Sequence, residues 1–501
     1  MPRSIDGSNQ PAALVARDVA LVGLLALVVR LALVYAGPSL EAGDMAGWQE
    51  SARRVTSMGI HAGYTSLDPG SLYPPAFLYP LWAVGHVYRT CCSPDFVTGT
   101  DTLDALMRIG PVLADALLAV LIYVLARTWL DRAKARRAGL LYALCPAALV
   151  TVAQQGMIGD PYVGVLVILA LLAALGRHSV VSAICLSLAV LTKPQALALV
   201  PLVILVLARR TTARQWAAGL LAATLTVTGV LLPFALHGTL SDVWSAVRAI
   251  AGLHAYTQNS ADNLWTLLPV WRLADVVAGP FGEVPDDTLL VAGLSCRDAG
   301  LLACAALQAV TLARLGRSFS PRGVVEAGAV LVLGFFFLST RMHVNYVFLA
   351  FPFLCALAAS GSFRVRLIVA AVTLACLVDW QDSVPWAVHR ANAVVYAASL
   401  VVLGCEGLRR PVVPFVLGRV PSVALQMLVW RRSARLGQRS GWPGHIRPAQ
   451  QVQRQGAPVQ PGPVASLEHH VIPRHGSTGH DVAGVRGRRV LLGPPRRIWG
   501  E

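Results

Sequence analysis

The apolar residues of this chain come in long blocks, not in the alternating pattern of strands. They fall at 19–36, 109–126, 138–152, 161–176, 179–192, 195–208, 216–236, 289–313, 324–338, 344–360, 367–380 and 391–408. About 20 apolar residues cross a bilayer as a helix, and shorter runs cross where it thins. The pattern therefore predicts an all-α polytopic membrane protein, a bundle of about 12 (11–13) transmembrane helices spread over 19–410. A further run, 412–430, is interrupted by Arg419 and Pro421 and is either an extra span or an interfacial helix within 411–430. The run 72–88 carries Pro74, Pro75 and Pro80 among several aromatics, which suits an interfacial helix better than a crossing one. Lys193-Pro194 reads as a turn between two short spans; one kinked helix over 179–208 is the rival and would invert everything downstream.

Composition supports the same class. Of 501 residues 55% are hydrophobic and only 14% charged, with a mean hydropathy of +0.59, too apolar for a chain that must hide its surface from water. The first apolar run lacks a small-residue cleavage site and reads as a retained span behind a cytoplasmic N-terminus, 1–18. The net charge is +16, and its distribution orients the bundle. With the N-terminus inside, the short inner connections hold Arg127, Arg132, Lys134, Arg136, Arg137, Arg177, Arg209, Arg210, Arg214, Arg314, Arg317, Arg322, Arg364, Arg366, Arg409 and Arg410. The much longer outer connections hold few basic residues, as the positive-inside bias requires. A long first extracytoplasmic loop, 37–107, and a second, 237–288, follow from this phase. The tail 431–501, rich in Arg, Pro, Gly and Gln, cannot bury a core and reads as disordered; its charge points to no nucleic acid. The nine cysteines show no metal-binding spacing, although Cys91 or Cys92 could pair with an external thiol such as Cys296.

This topology gathers the unusual polar residues on one face. The outer side receives Asp44, Tyr73-Pro74-Pro75 with Tyr79, Gln154-Gln155-Gly156 with Asp160, Lys193-Pro194-Gln195, Asn259 through Trp265, and Arg341-Met342-His343. Each has a bland reading. Asp44 is a solvated loop carboxylate, Asp160 caps a helix with Pro161 at its first position, Lys193 snorkels, and Trp265 and Trp271 belong to an aromatic belt. Two charges lie inside spans, Arg30 and Asp115, and each needs a partner in the bundle interior. Arg108 shares a helix face with Asp115 and stands four residues from Asp104, close enough to pair with it.

Taken in order, these motifs resemble the GT-C superfamily of integral membrane glycosyltransferases, which use polyprenyl- or dolichyl-phosphate sugars, and most of all its glucosyl/mannosyltransferase type and bacterial relatives. The Gly43-Asp44 after the first span, Tyr73-Pro74-Pro75 with Tyr79, and Leu106-Met107-Arg108 through Asp115 are similar to that family's first third. Lys193-Pro194-Gln195 with Pro201 is similar to its mid-chain lysine motif, Asn263-Leu264-Trp265 to its Asn-Leu-Trp element, and Arg341-Met342-His343 with Tyr346 and Pro352 to its late element. The resemblance covers about residues 19–360. Where the late element usually continues with Glu, Val344-Asn345 follow here, and Met45-Ala46-Gly47-Trp48 follow the first acid.

The resemblance implies inverting transfer of a hexose, mannose favoured, from a polyprenyl-phosphate donor to an extracytoplasmic lipid- or glycan-linked acceptor. It implies Asp44 as the single carboxylate base. Arg341, His343 and Lys193 then stabilise the departing phosphate, Arg341 favoured for its fixed fork of donors. Tyr73, Gln155, Asp160, Asn263, Trp265 and Arg108 are the candidates for holding substrate. No cofactor is firmly implied, and a divalent metal is left open. A soluble nucleotide-sugar donor is disfavoured because no phosphate-binding Gly-rich signature appears and the inner loops are too short for a nucleotide-binding domain. Two rival readings remain at this stage, a transporter or lipid-linked-sugar flippase and a non-catalytic component of envelope assembly in the cell membrane.

Overall fold

The computed structural model describes residues 12–36, 43–65, 73–252, 255–258, 260–268, 270, 284–290, 293–381 and 384–408. The expected extra span at 411–430 and the tail 431–501 lie outside them, as does Trp271. Among the described residues the chain is helical, with only isolated bridges Tyr256–Pro285 and Leu289–Ser295 in place of strands.

In chain order the helices are α1 (Ala12–Ala36), α2 (Gly43–Met58), α3 (Leu78–Cys91), α4 (Asp101–Ala126), α5 (Arg132–Ala143) and α6 (Pro146–Gln154). Then come α7 (Gly159–Leu175), α8 (Ser179–Thr192), α9 (Val200–Arg210), α10 (Ala213–Leu236), α11 (Leu240–Gly252) and the single turn α12 (Leu264–Leu267). The last are α13 (Cys296–Arg317), α14 (Pro321–Leu338), α15 (Ala350–Ala358), α16 (Phe363–Asp379) and α17 (Trp386–Leu408). Their starts follow local chemistry. Thr100, Asp131, Ser295, Ser320 and Ser362 each accept a backbone N–H of the first turn, and Thr212 with Gln215 forms a reciprocal capping box.

Six helices, α1, α4, α10, α13, α14 and α17, are long and apolar enough to cross a membrane, and α5 with α6 makes a seventh if the pair, bent by 44°, counts as one span. This is a multi-pass membrane protein by the length and composition of those helices. Several apolar blocks of the sequence are shorter or broken in the fold. The block at 195–208 is a 3-10 turn, Pro194–Leu199, followed by α9, and that at 344–360 is a 3-10 turn, Val344–Leu349, followed by α15. The apolar run 72–88 becomes a short turn and α3, which packs on α2, Phe77 and Phe234 in a cluster separate from the main core.

Hydrogen bonds show which helix ends meet. Arg210, ending α9, donates to the carbonyl of Leu175 at the end of α7, and Ser179 Oγ, starting α8, donates to the carbonyl of Gln215 in α10. At the opposite end Lys193 meets Asp160. The chain thus reverses at Lys193-Pro194, and 179–208 is a hairpin, not one kinked helix. The end that carries Arg210 is basic elsewhere too: Arg132 and Arg136 hold the buried Asp18, Arg314 donates to Gly404, and Arg364 pairs with Glu406.

Between the two ends the mid-helix charges find each other. Arg30 Nε donates to Asp115, Tyr142 donates to the other carboxylate oxygen, and Arg30 also reaches the carbonyls of Ala26 and Ala143 at 3.1 and 2.9 Å. All three side chains are buried. Removing one partner of such a pair typically costs about 3–5 kcal/mol, because an uncompensated charge stays behind.

Candidate active site

The polar end of the bundle is organised by Asp160, in the first turn of α7. Its carboxylate does not cap the helix. Both of its oxygens lie 2.7 Å from Lys193 Nζ, and Oδ2 accepts a further bond of 3.1 Å from Asn345 Nδ2. Both members of the ion pair are buried, with side-chain exposures of 4%. The ammonium also lies 5.3 Å above the ring of Tyr346, whose hydroxyl is hydrogen-bonded by Gln195. Asn345 Oδ1 bonds His343 Nδ1 at 3.1 Å, and the His343 ring stands 6.0 Å from Trp380. Tyr73, Phe77 and Lys193 pack around Gly159, where a Cβ would stand in ordinary van der Waals contact with all three, at 3.5–3.6 Å.

Tyr73 links this cluster to Asp44. Its ring stacks on Phe77 at 4.2 Å and meets Trp48 edge-on at 6.3 Å, while its carbonyl accepts the Tyr64 hydroxyl at 2.5 Å. Burial, and after it the negative charges of Asp44 and Asp160, push the Tyr73 hydroxyl well above the usual tyrosine range. Asp44 and Asp160, from helices far apart in sequence, thus both lie within electrostatic range of one phenol. Asp44 opens α2 and is exposed, whereas Asp160 is buried.

Arg108 pairs with Asp104 at 2.8 Å, as its spacing predicts, and reaches the carbonyl of Ala153 at 3.4 Å. Its guanidinium lies over Gly156, where a Cβ would come within 3.1–3.3 Å and where φ is +66°. Arg108 thus faces the segment that carries the buried Gln155. The helical face shared with Asp115 does not join the two residues, because Asp115 belongs to Arg30.

Arg341 carries its own counter-charge. Its Nε and Nη2 donate to Asp286 at 2.6 and 2.8 Å, a fork-to-fork pair, and Thr340 Oγ1 adds a bond of 2.9 Å to the same carboxylate. Burial alone would raise the Asp286 carboxyl, but the bonds from Arg341 and Thr340 and the charge of Arg341 outweigh it and hold it below the ordinary 3.8. The Arg341 backbone sits at φ +62°, a conformation costly for a side chain with a Cβ, and its N–H is held by the carbonyl of Tyr256 at 2.9 Å.

Asn263 and Trp265 build the loop that supplies Tyr256. Asn263 Nδ2 donates to the carbonyls of Thr257 and Ser339, its Oδ1 accepts the N–H of Trp265, and Trp265 Nε1 donates to the carbonyl of Leu338. Both side chains are buried in protein contacts. Gly300 permits this packing, since a Cβ there would lie 2.8 Å from the Leu338 carbonyl and 3.3 Å from the Trp265 ring.

The structure therefore brings Asp160, Lys193, His343 and Tyr73 into one network with Asp44 in electrostatic reach, sets Arg108 against the Gln155 segment, and keeps Arg341, Asn263 and Trp265 in a neighbouring network around Asp286. Sequence reasoning missed Asp286, Asn345 and Gln195 as participants. It also missed a buried polar cluster beside Asn263, in which Asp262 meets His389 at 3.0 Å and Asn392 joins Asp262 to Asp379 at 2.9 and 2.7 Å. Among the described residues no three His, Cys, Asp or Glu side chains converge as metal ligands, and the nine cysteines are free thiols, Cys296 buried and Cys91 and Cys92 exposed.

No protein-family model matches the chain, and no curated protein matches it by sequence. Solved structures similar to it include the oligosaccharyltransferase of Archaeoglobus fulgidus in its apo form, at 14% identity and a TM-score of 0.40, over 79% of this chain and 56% of that one. The same archaeal enzyme in complex with an inhibitory peptide and a dolichol-phosphate gives 13% identity and a TM-score of 0.35, over 78% and 56%. The chain thus spans little more than half the length of the structures it is similar to.

Proposed function

We propose that this protein is a GT-C-type glycosyltransferase of the cell membrane, with about twelve membrane-crossing segments and its active site on the extracytoplasmic side. It transfers a hexose, mannose by preference, from a polyprenyl-phosphate donor to a lipid- or glycan-linked acceptor, with inversion. The observation that carries this reading is the buried Asp160–Lys193 pair, tied through Asn345 to His343 and packed with Tyr73 around Gly159.

In this reading Asp44, the exposed carboxylate of the group, takes the proton of the acceptor hydroxyl as that oxygen attacks the anomeric carbon. The bond from that carbon to the donor phosphate breaks, and the phosphate leaves with its negative charge. Lys193, His343 and Arg341 lower the energy of that charge. Lys193 works from within a neutral pair with Asp160, and Arg341 from within its pair with Asp286, so neither cation strands a net charge when the site is empty. Tyr73, kept protonated by burial, donates to a sugar or phosphate oxygen. Gln155, Asp160 and Arg108 hold hydroxyls, while Asn263 and Trp265 act by fixing the loop under Arg341. A transporter would use the mid-membrane charges Arg30 and Asp115, but these neutralise each other and favour no such role.

The test is incubation of purified protein with radiolabelled polyprenyl-phosphate mannose, glucose and arabinose and a lipid extract, with Asp44→Asn in parallel. Transfer by the wild type and its loss in the variant, with the fold intact, support the proposal. Undiminished turnover by Asp44→Asn rejects Asp44 as the base, and no transfer from any donor rejects the enzyme.

A further inference from the structure

Helix α11 is apolar over more of its circumference than the protein covers. Val243 and Ala246 pack into the cluster of Trp48, Leu78, Leu81 and Phe234, at the same end of the bundle as Asp44. A second row, Leu240, Trp244, Val247 and Ala251, follows the spacing i, i+4, i+7, i+11 that lines one helix face. No other described residue covers that row: Leu240 is 45%, Trp244 60% and Val247 37% exposed. Ser241, Arg248 and Gly252 border it on the far side and are exposed as well. The helix thus has three sectors, one toward protein, one apolar and open, and one polar.

Two observations name what covers the open row. First, it follows in the chain directly after an exposed apolar stretch of a helix long and apolar enough to cross a membrane. Leu232 and Leu236 on the membrane-crossing helix α10 are 47% and 73% exposed, and α11 begins four residues after α10 ends, across a turn at Gly238 with φ +71°. Second, its edge has the chemistry of a headgroup boundary. The guanidinium of Arg248 lies 5.8 Å from the centroid of the Trp244 ring, so a cation and an amphipathic aromatic stand together where apolar stripe meets polar face. Trp and Arg are placed this way where hydrocarbon gives way to phosphate.

We propose that α11 lies in the plane of the membrane, its Leu240–Trp244–Val247–Ala251 row sunk into the acyl boundary of the leaflet on the Asp44 side and Arg248 on an anionic lipid phosphate. The helix pins the base of the loop that supplies Tyr256 and Asp286 to the bilayer surface. This goes beyond the proposed transferase activity and does not depend on it.

The test places benzoylphenylalanine at position 244 or 247, or at 241 or 252 as controls, in the full chain in nanodiscs of phosphatidylethanolamine and phosphatidylglycerol. After irradiation, adducts are identified by mass spectrometry. Lipid adducts several-fold more abundant at 244 and 247 than at 241 and 252 are expected. Adducts to a second copy or another protein at 244 and 247, equal lipid yields on both faces, or no adducts above background overturn the proposal. A second measurement spares the fold: quenching of tryptophan fluorescence by brominated lipid is compared between wild type and Trp244→Phe. Loss of a quenchable component in the variant supports the assignment, and unchanged quenching overturns it. Neither readout involves sugar transfer, so a failure here leaves the enzyme reading to its own assay.

Discussion

The Lys193–Asp160 pair gives the sharpest test of how the candidate site is held together. Lys193→Met leaves Asp160 with Asn345 at 3.1 Å and no counter-charge, while Asp160→Asn leaves a buried ammonium over the Tyr346 ring with no carboxylate at 2.7 Å. Each single change strands a charge that water cannot reach, which costs about 3–5 kcal/mol. The double variant Asp160→Asn with Lys193→Met removes both charges and most of that cost, so the two losses are far from additive. Unfolding entropy scales with length, so for a unit the size of residues 1–435 about 1 kcal/mol shifts the midpoint by about 1 °C. Each single variant should therefore melt about 3–5 °C below wild type, and the double variant within about 2 °C of it. The assay is thermal unfolding of detergent-solubilised protein at one detergent concentration. Single variants that melt with wild type, or losses that simply add, would refute the view that the pair is buried and mutually neutralising. The double variant also separates stability from chemistry. If Lys193 steadies the leaving phosphate, it recovers its melting point and not its transfer rate.

The same reasoning applies to Arg30 and Asp115: Arg30→Met or Asp115→Asn alone should cost about 3–5 kcal/mol and lower the yield of folded protein, and the paired variant should recover most of it, read by size-exclusion recovery from membranes. For Arg341, Asp286→Asn should cost about 1–3 kcal/mol, the scale of hydrogen bonds to a charged group. Because the folded Asp286 carboxyl is held below 3.8, its contribution is full above that value and is lost as pH falls through the folded one. The melting gap between wild type and Asp286→Asn should stay constant from about pH 7 to pH 5 and close only below about pH 4; a gap that closes near pH 6 would contradict the assignment. Asn263→Ala removes the cap on Trp265 and two donors to carbonyls, a loss of about 2 kcal/mol. Amide exchange should then speed up at Trp265 and Arg341 and stay slow in α7, and uniform acceleration would argue against a local clamp.

What the sequence could and could not disclose follows from the range of each interaction. The Asp104–Arg108 pair was legible because a spacing of four on a helix fixes proximity without any tertiary knowledge. The hairpin at Lys193-Pro194 was one of two readings of the sequence: charge asymmetry between loops favoured a turn there, and only the contacts of the helix ends decide against a single kinked helix. The partners of Lys193, Arg341 and Arg30 were not, since those pairs close over 33, 55 and 85 residues and depend on which helix ends meet. Asn345 is the instructive case. On sequence it was only the second residue of Val344-Asn345, the pair that follows His343 where the resembling family's late element usually continues with Glu. In the fold its amide donates to Asp160 and its oxygen meets His343. A carboxylate at 345 would only accept hydrogen bonds, so it could not donate to Asp160 and would set a second negative charge against it. With a lysine already matched one-to-one to Asp160, an amide keeps that pair neutral and still ties the late motif to α7. The tie between the late motif and α7 is therefore set by a charge balance with residues elsewhere in the chain, which no reading of the late motif by itself could have revealed.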